Sequence, residues 1–258
     1  MSRRRYPHAL AALALLASFA AESSPASGAT HDRLAALPPV MLWAWERPED
    51  LRFLDPRVFG VAFLAGTVTL RGETASPVPR LQPLRLSSAL ARIAVVRLEA
   101  GTRRPIAGTA RQRREAAAAI VRLARLPGVR GVQVDFDARL SERDFYADLL
   151  ADVRAVLPDS LGLSMTALAS WCAGDPWLAR LPVDEVVAML FRMGPEGAAL
   201  RARLARGGPF PGVQGGSALG LSCDEPPLER PARGRLYVFN PAPWSPAALA
   251  GLDAGGPR

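Results

Sequence analysis

Short apolar runs recur along the chain, separated by stretches with helical periodicity or clusters of turn residues. Val40 to Trp45, Phe59 to Ala65, Ile93 to Leu98 and Val132 to Asp137 read as four strands. Leu161 to Leu168, Glu185 to Phe191, Ser217 to Ser222 and Leu236 to Asn240 read as four more. Thr109 to Leu126 carries Ala and Ile at helical spacing with arginines opposite, and Pro127-Gly128 stops it. Ser141 reads as the cap of a second helix that runs to about Leu157, where Pro158 ends it. Short helices fit Asp175–Leu181, Pro195–Arg206 and Ser245–Leu252. The proline-containing stretch from the second strand to Ser88 has no helical period, and no clear helix precedes the eighth strand.

Repeated strand-then-helix order implies parallel strands joined by right-handed crossovers. Eight such units predict an α/β fold, a small (β/α)8 barrel over residues 37–252, irregular where the helix between strands two and three is missing. An open doubly wound sheet is the rival architecture, but no G-x-G-x-x-G turn follows an early strand.

The first 29 residues change the picture of where such a barrel works. Arg3, Arg4 and Arg5 precede an apolar run from Ala9 to Ala21, and small residues follow at Ser18-Phe19-Ala20 and Ser27-Gly28-Ala29. That is the order of a secretory signal, with an apolar run too short to span a bilayer comfortably. An exported protein, periplasmic or secreted, is expected, with no stable membrane insertion once the signal is removed. An uncleaved N-terminal anchor is the alternative. An oxidising compartment would permit a Cys172–Cys223 disulfide, and two buried free thiols is the other possibility.

Composition narrows the chemistry. The chain of 258 residues contains no lysine, so all 32 basic residues are arginine, and its only histidines are His8 and His31. A lysine Schiff base, a P-loop lysine, a Ser-His-Asp triad and a histidine-rich zinc site are therefore excluded or nearly so. Asp, Glu, Tyr, Cys and Ser remain for acid, base and nucleophile work. The formal charge of +8 does not by itself imply a nucleic-acid partner, because the arginines are scattered rather than interleaved with aromatics. No cofactor and no metal are expected, although Asp135, Asp137 and Glu99 together are a conceivable set of oxygen ligands for a hard cation.

Active sites of barrels sit at the C-terminal ends of their strands. There the sequence places Trp43, Trp45 and Glu46, then Glu99, then Gln133, Asp135 and Asp137, then Ser170 and Trp171. Arg192, Asp224, Glu225, Asn240 and Trp244 follow. The fourth strand is the sharpest signal. Alternation puts Val132, Val134 and Phe136 on one face and Gln133, Asp135 and Asp137 on the other, about 6.6 Å apart along the strand. Two carboxylates in a partly buried mouth repel, which raises at least one pKa and keeps an acid protonated near neutral pH. The plainer alternative has Asp137 capping the next helix and Asp135 paired with Arg97 or Arg192. Glu99 ends the neighbouring strand and is the candidate second carboxylate. Tryptophan faces either stack on sugars or pack a core. Substrate contacts are expected from Trp43, Trp45, Gln133, Trp171, Arg192, Glu225, Asn240 and Trp244.

The segment from Gly131 to Asp137 resembles the D-G-x-D-x-D-x-E strand of family-18 glycoside hydrolases, the chitinase type, which are (β/α)8 barrels. On that motif Gln133 falls on the middle acid, Asp135 on the last aspartate and Asp137 on the glutamate that acts as acid. VAMLFR, residues 187–192, is similar to the sixth-strand M-x-Y-D, with Arg192 in place of the aspartate. Asp137 is one methylene shorter than Glu, and Gln133 and Arg192 replace acids that this family uses in substrate-assisted catalysis. The phrases VMLWAWERPEDLRFL, GVQVDFDARLSERDFYADLL, LSMTALASWC and LPVDEVVAMLFRMG look like a family of exported bacterial proteins known as a domain of unknown function. That likeness covers most of the chain beyond the leader and implies a distant relative of the glycosidase barrels.

The expected function is an exported glycoside-hydrolase-like barrel acting on a polysaccharide. Asp137 is the candidate general acid, Asp135 tunes and positions it, and Glu99 is a possible partner. The alternative is a non-catalytic carbohydrate-binding barrel.

Overall fold

The computed structural model describes residues 33–172, 177–194, 197–206, 218–226, 234–250 and 252. Residues 32–258 form one compact unit. Residues 1–31, which include the segment expected to be a signal, fall in a separate unit and lie outside the described residues.

Eight strands close into a parallel barrel in chain order. They are β1 (Val40–Ala44), β2 (Phe59–Arg71), β3 (Arg92–Ala100) and β4 (Val129–Asp135). β5 (Gly162–Leu168), β6 (Glu185–Met189), β7 (Ala218–Ser222) and β8 (Leu236–Phe239) complete the ring. The ring closes at Val40, which faces Phe59 of β2 on one side and Leu236 of β8 on the other.

Strands covered on both faces need apolar residues at successive positions. Met41, Trp43, Ala62, Ile93, Val95, Val187, Ala218 and Tyr237 therefore fill the barrel, while Leu42, Val61, Val96, Val132, Val134, Leu163, Met165 and Val238 meet the outer layer. Gly220 of β7 makes room for the largest inner ring, since a Cβ there would stand 2.8 Å from the Trp43 indole.

Helix α1 (Ala110–Ala124) starts at Thr109, whose hydroxyl accepts the Gln112 N–H at 3.2 Å. Its Ala116, Ala117, Ile120 and Val121 lie on the barrel. Helix α2 (Arg143–Val156) buries Phe145, Tyr146, Leu149, Leu150 and Val153, and each leucine contributes about 1.5–3 kcal/mol by leaving water. Its entry differs from the expected Ser141 cap. Ser141 sits within a 3-10 turn, Leu140–Glu142, and the Glu142 carboxylate instead accepts the Arg139 N–H at 2.8 Å. α3 (Ala169–Cys172) is a single turn, and α4 (Gly197–Ala205) fills the expected place after β6. The helices expected at Asp175–Leu181 and Ser245–Leu252 are, among the described residues, only the 3-10 turns Leu178–Arg180 and Ala247–Leu249. Between β7 and β8, residues 227–233 lie outside the described residues.

A hairpin stands where the helix between β2 and β3 is missing. β2 continues to Arg71, turns at Gly72 (φ 54°), and returns as an antiparallel strand, Thr74–Pro79. Pro77 and Pro79 have no N–H for a ladder, and they are tolerated because this strand is the sheet's edge. The Gln112 amide of α1 donates to the Thr74 carbonyl at 2.9 Å, so the hairpin is fastened to the barrel's outer layer.

Cys172 is buried and Cys223 is exposed, and both are free thiols rather than a disulfide. Burial pushes the Cys172 thiol up to about 12. Among the described residues no helix is long and apolar enough to cross a membrane.

Candidate functional site

A cleft of about 360 Å³ opens at the C-terminal mouth of the barrel. Trp43, Trp45, Val95, Arg97, Asp135, Asp137, Thr166, Leu168, Met189, Phe191, Arg192 and Phe239 line it.

One side is charged. Register sets Arg97 of β3 directly beside Asp135, the last residue of β4. Arg97 Nη1 donates to Asp135 Oδ2 at 3.2 Å, and the Thr166 hydroxyl of β5 donates to Oδ1 at 2.7 Å. Asp135 is only 6% exposed. Burial pushes its carboxyl above the usual range, the Thr166 hydroxyl and the Arg97 guanidinium pull it back, and Asp137 adds an upward push. Asp137, two residues on, has its side chain 56% exposed, with Oδ2 at 3.9 Å from Arg97 Nη2. Glu99 Oε1 stands 3.4 Å from Arg97 Nε. The cation among these three carboxylates is thus a guanidinium of the chain itself. It also lies 5.9 Å over the Trp45 ring.

The other side is aromatic. Phe191 and Phe239 stack at 5.8 Å with their planes 5° apart. Trp43 tilts against Phe191 at 6.0 Å and against Tyr237 at 5.3 Å. Arg192, just after β6, lies 5.3 Å over the Phe239 ring.

Two arginines fix the loop that carries Trp45. Half-buried Arg80, at the exit of the hairpin, donates to the carbonyls of Ala44 at 3.2 Å and Gln82 at 2.9 Å, and also to those of Trp45 and Arg47. Arg47 donates to the carbonyls of Asn240 at 2.5 Å and Pro241 at 2.9 Å and pairs with buried Glu49 at 2.6 Å. The hairpin, the Trp45 loop and the turn after β8 are therefore held as one rim.

A buried polar chain forms the floor. Trp43 Nε1 donates to Gln133 Oε1 at 2.9 Å, and Gln133 Nε2 donates to the Ser164 hydroxyl at 3.2 Å. Ser164 passes its proton-donating bond on to Glu185 Oε1 at 3.3 Å, where the Tyr237 hydroxyl also donates at 2.7 Å. Arg235 pairs with the second Glu185 oxygen and reaches the Pro38 and Leu34 carbonyls below. Burial pushes the Glu185 carboxyl up, and Arg235 and Tyr237 pull it down. Every polar atom named here has a partner, which is what a buried network requires.

The structure brings Trp43, Trp45, Asp135, Asp137 and Arg192 together on the cleft. The other residues expected there stand elsewhere. Gln133 lies beneath the cleft as the acceptor for Trp43. Glu99 touches the site only through Arg97. Trp171 packs in the outer layer, edge-on to Trp177 at 5.4 Å and under the Arg143 guanidinium at 5.3 Å. Trp244 is 5% exposed, with its indole N–H on the Trp43 carbonyl at 2.9 Å and its backbone N–H on Glu49 at 3.1 Å. Asn240 folds its own turn by accepting the Ala242 N–H at 3.2 Å, and Glu225 serves the backbone of Arg192 at 2.5 Å. Gln133 and Glu99 lie within β4 and β3, and their neighbours decide their roles; Trp171, Glu225, Asn240 and Trp244 stand past the ends of their strands and share another cause. A residue past a strand end can turn inward or outward, and strand alternation no longer decides which. Thr166, Leu168, Met189, Phe191 and Phe239 were not singled out, although the inward parity of their strands was available as a signal.

No family model and no curated protein matches the chain. Its backbone course is similar to those of several solved structures. The crystal structure of a putative chitinase A from Streptomyces coelicolor matches 83% of this chain and 82% of that one, at 12% identity and a TM-score of 0.48. The chitinase domain of the spore coat protein CotE from Clostridium difficile matches 71% of this chain and 65% of that one, at 15% identity and 0.44. The spore cortex-lytic enzyme SleL from Bacillus cereus matches 72% of this chain but about half, 51%, of its own, at 16% identity and 0.45. The likeness is one of backbone course alone.

Proposed function

We propose that the mouth of this barrel binds a sugar unit of a polysaccharide. One observation carries the proposal: a single cleft sets the aromatic faces of Trp45, Phe191 and Phe239 beside a polar cluster of Asp135, Asp137, Thr166 and Arg97. Pyranose rings present an apolar C–H face to aromatics and hydroxyls at the edge to charged partners. The likeness of the β4 segment to the chitinase-type motif supports the same ligand class. Because Glu99, Asp135 and Asp137 gather on one guanidinium, and both Asp135 oxygens are taken, the arrangement suits hydroxyl recognition first.

A second reading, hydrolysis, is favoured by the placement of Asp137. It stands on the cleft with more than half its side chain in solvent, above a buried aspartate whose proton affinity burial raises. In that reading Asp137 protonates the glycosidic oxygen and Asp135 positions it. Export, proposed from the leader at residues 1–29, places either activity outside the cytoplasm.

Calorimetric titration with a panel of bacterial and fungal oligosaccharides tests the binding proposal. Saturable binding that falls in Trp45→Ala supports it, and no binding to any glycan overturns it. Reducing ends measured for wild type and Asp137→Asn in parallel separate the two readings. Release by the wild type alone establishes hydrolysis with Asp137 as its acid, and no release establishes a binding protein.

A further inference from the structure

We propose that the sugar taken by this cleft carries a carboxylate and that Arg192 binds it; the inference rests on the glycan-binding proposal above. Arg192 adopts φ 51°, in the left-handed region that a residue with a Cβ holds only where its surroundings impose it. The surroundings do impose it. Its N–H donates to Glu225 Oε1 at 2.5 Å, and the second Glu225 oxygen is bound by Arg201. Arg201 in turn donates to the Leu190 carbonyl at 2.6 Å and the Pro226 carbonyl at 3.1 Å. This clamp joins α4, the end of β6 and the turn after β7, and it delivers one result: the Arg192 guanidinium lies over Phe239 on the cleft rim.

The two arginines of the cleft are used differently. Arg97 is engaged by three carboxylates. Among the described residues no carboxylate oxygen lies within 4 Å of the Arg192 guanidinium: Glu225 meets its backbone, and Asp224, which accepts the Ser222 hydroxyl, feels the Arg192 charge only from beyond that distance. A guanidinium lying on an aromatic ring keeps its in-plane N–H fork for a planar carboxylate, and both oxygens can be bound at once. A sugar resting on the Phe191–Phe239 surface would bring a ring or side-chain carboxylate to that fork.

The test compares each acidic sugar with its neutral ester. Oligomers of uronic acid and fragments containing N-acetylmuramic acid, each beside its methyl ester, are titrated into the full chain. Wild type is expected to bind at least one acid about tenfold or more tightly than its ester. The acid-to-ester ratio should fall toward one in Arg192→Gln and be partly kept in Arg192→Lys. Raising the salt concentration should weaken the acid more than the ester, since the Arg192 side chain is exposed. The pair that shows the preference tells a ring carboxylate from a lactyl one. Esters that bind as well as acids, or a preference that survives Arg192→Gln, overturn the carboxylate assignment and leave glycan binding standing. Absence of binding to every acid and every ester overturns both.

Discussion

Arg97 and Asp135 are direct neighbours across the β3–β4 ladder, 3.2 Å apart, and the arginine is the more exposed of the two. The pair is therefore asymmetric: Asp135 depends on Arg97 for compensation inside the barrel mouth, whereas Arg97 can be solvated. Replacing Arg97 by Met leaves a buried carboxylate with only the Thr166 hydroxyl. Loss of one partner of a buried pair costs about 3–5 kcal/mol, and partial exposure of Arg97 puts the expected loss at about 2–3 kcal/mol. Urea unfolding at neutral pH checks this, and Thr166→Val, which removes the other donor, should cost about 1–2 kcal/mol.

Asp135 also gives the stability a pH dependence of known sign. Its folded-state pKa is raised above 3.8 because burial outweighs Thr166 and Arg97. A raised pKa means that the folded state binds the proton more tightly than the unfolded chain does. The contribution is then fully present below about pH 3.8 and is lost as pH rises through the folded value. Asp135→Asn removes the titration, so its stability relative to wild type should improve as pH rises from about 4 to 7. A relative stability that is flat, or that worsens with pH, contradicts the burial-dominated environment.

Gln133 stands where the likeness to the chitinase strand would put an acid, and its structural role is visible in the Trp43–Gln133–Ser164 chain. Gln133→Met fills similar volume but orphans the Trp43 indole N–H and the Ser164 contact. A loss of about 1–3 kcal/mol is expected by urea unfolding, the cost of buried polar groups left without partners.

Glu185 and Arg235 anchor the same floor from below. Glu185→Leu leaves the mostly buried Arg235 without its carboxylate and Tyr237 without its acceptor. A loss of about 3–5 kcal/mol is expected. Pairing Glu185→Leu with Arg235→Met should recover part of it, as a double-mutant cycle of thermal unfolding will show.

Much of the barrel was legible in sequence because a parallel strand must be apolar on both faces. Runs such as VMLWA and FGVAFLA have few other uses in a folded chain. The hairpin after β2 was not, because Pro77 and Pro79 argue against a strand unless that strand is known to be an edge. The acid ladder of β4 followed from two-residue alternation, and so did its inward face. The tryptophans divided differently. Trp43 lies within β1, and Trp45, one residue past it, is held on the cleft by Arg80 at its carbonyl, whereas Trp171 and Trp244 lie farther beyond their strands, where nothing local fixes the side they take. The Arg97–Asp135 pair was one of the two readings that the sequence left open for Asp135, whereas Arg80 acts through long-range contacts with the Ala44, Trp45 and Arg47 carbonyls, and such partners emerge only once the barrel closes.

The most direct measurement is a crystal structure of the chain with the oligosaccharide that binds best in titration. Binding at the mouth places a sugar ring against the Phe191–Phe239 surface or Trp45, with hydroxyls on Asp137 and Arg97, and its affinity should drop about tenfold or more in Trp45→Ala. A sugar found away from the barrel mouth, or an affinity unchanged in Trp45→Ala and Phe239→Ala alike, would contradict the assignment of this cleft to carbohydrate.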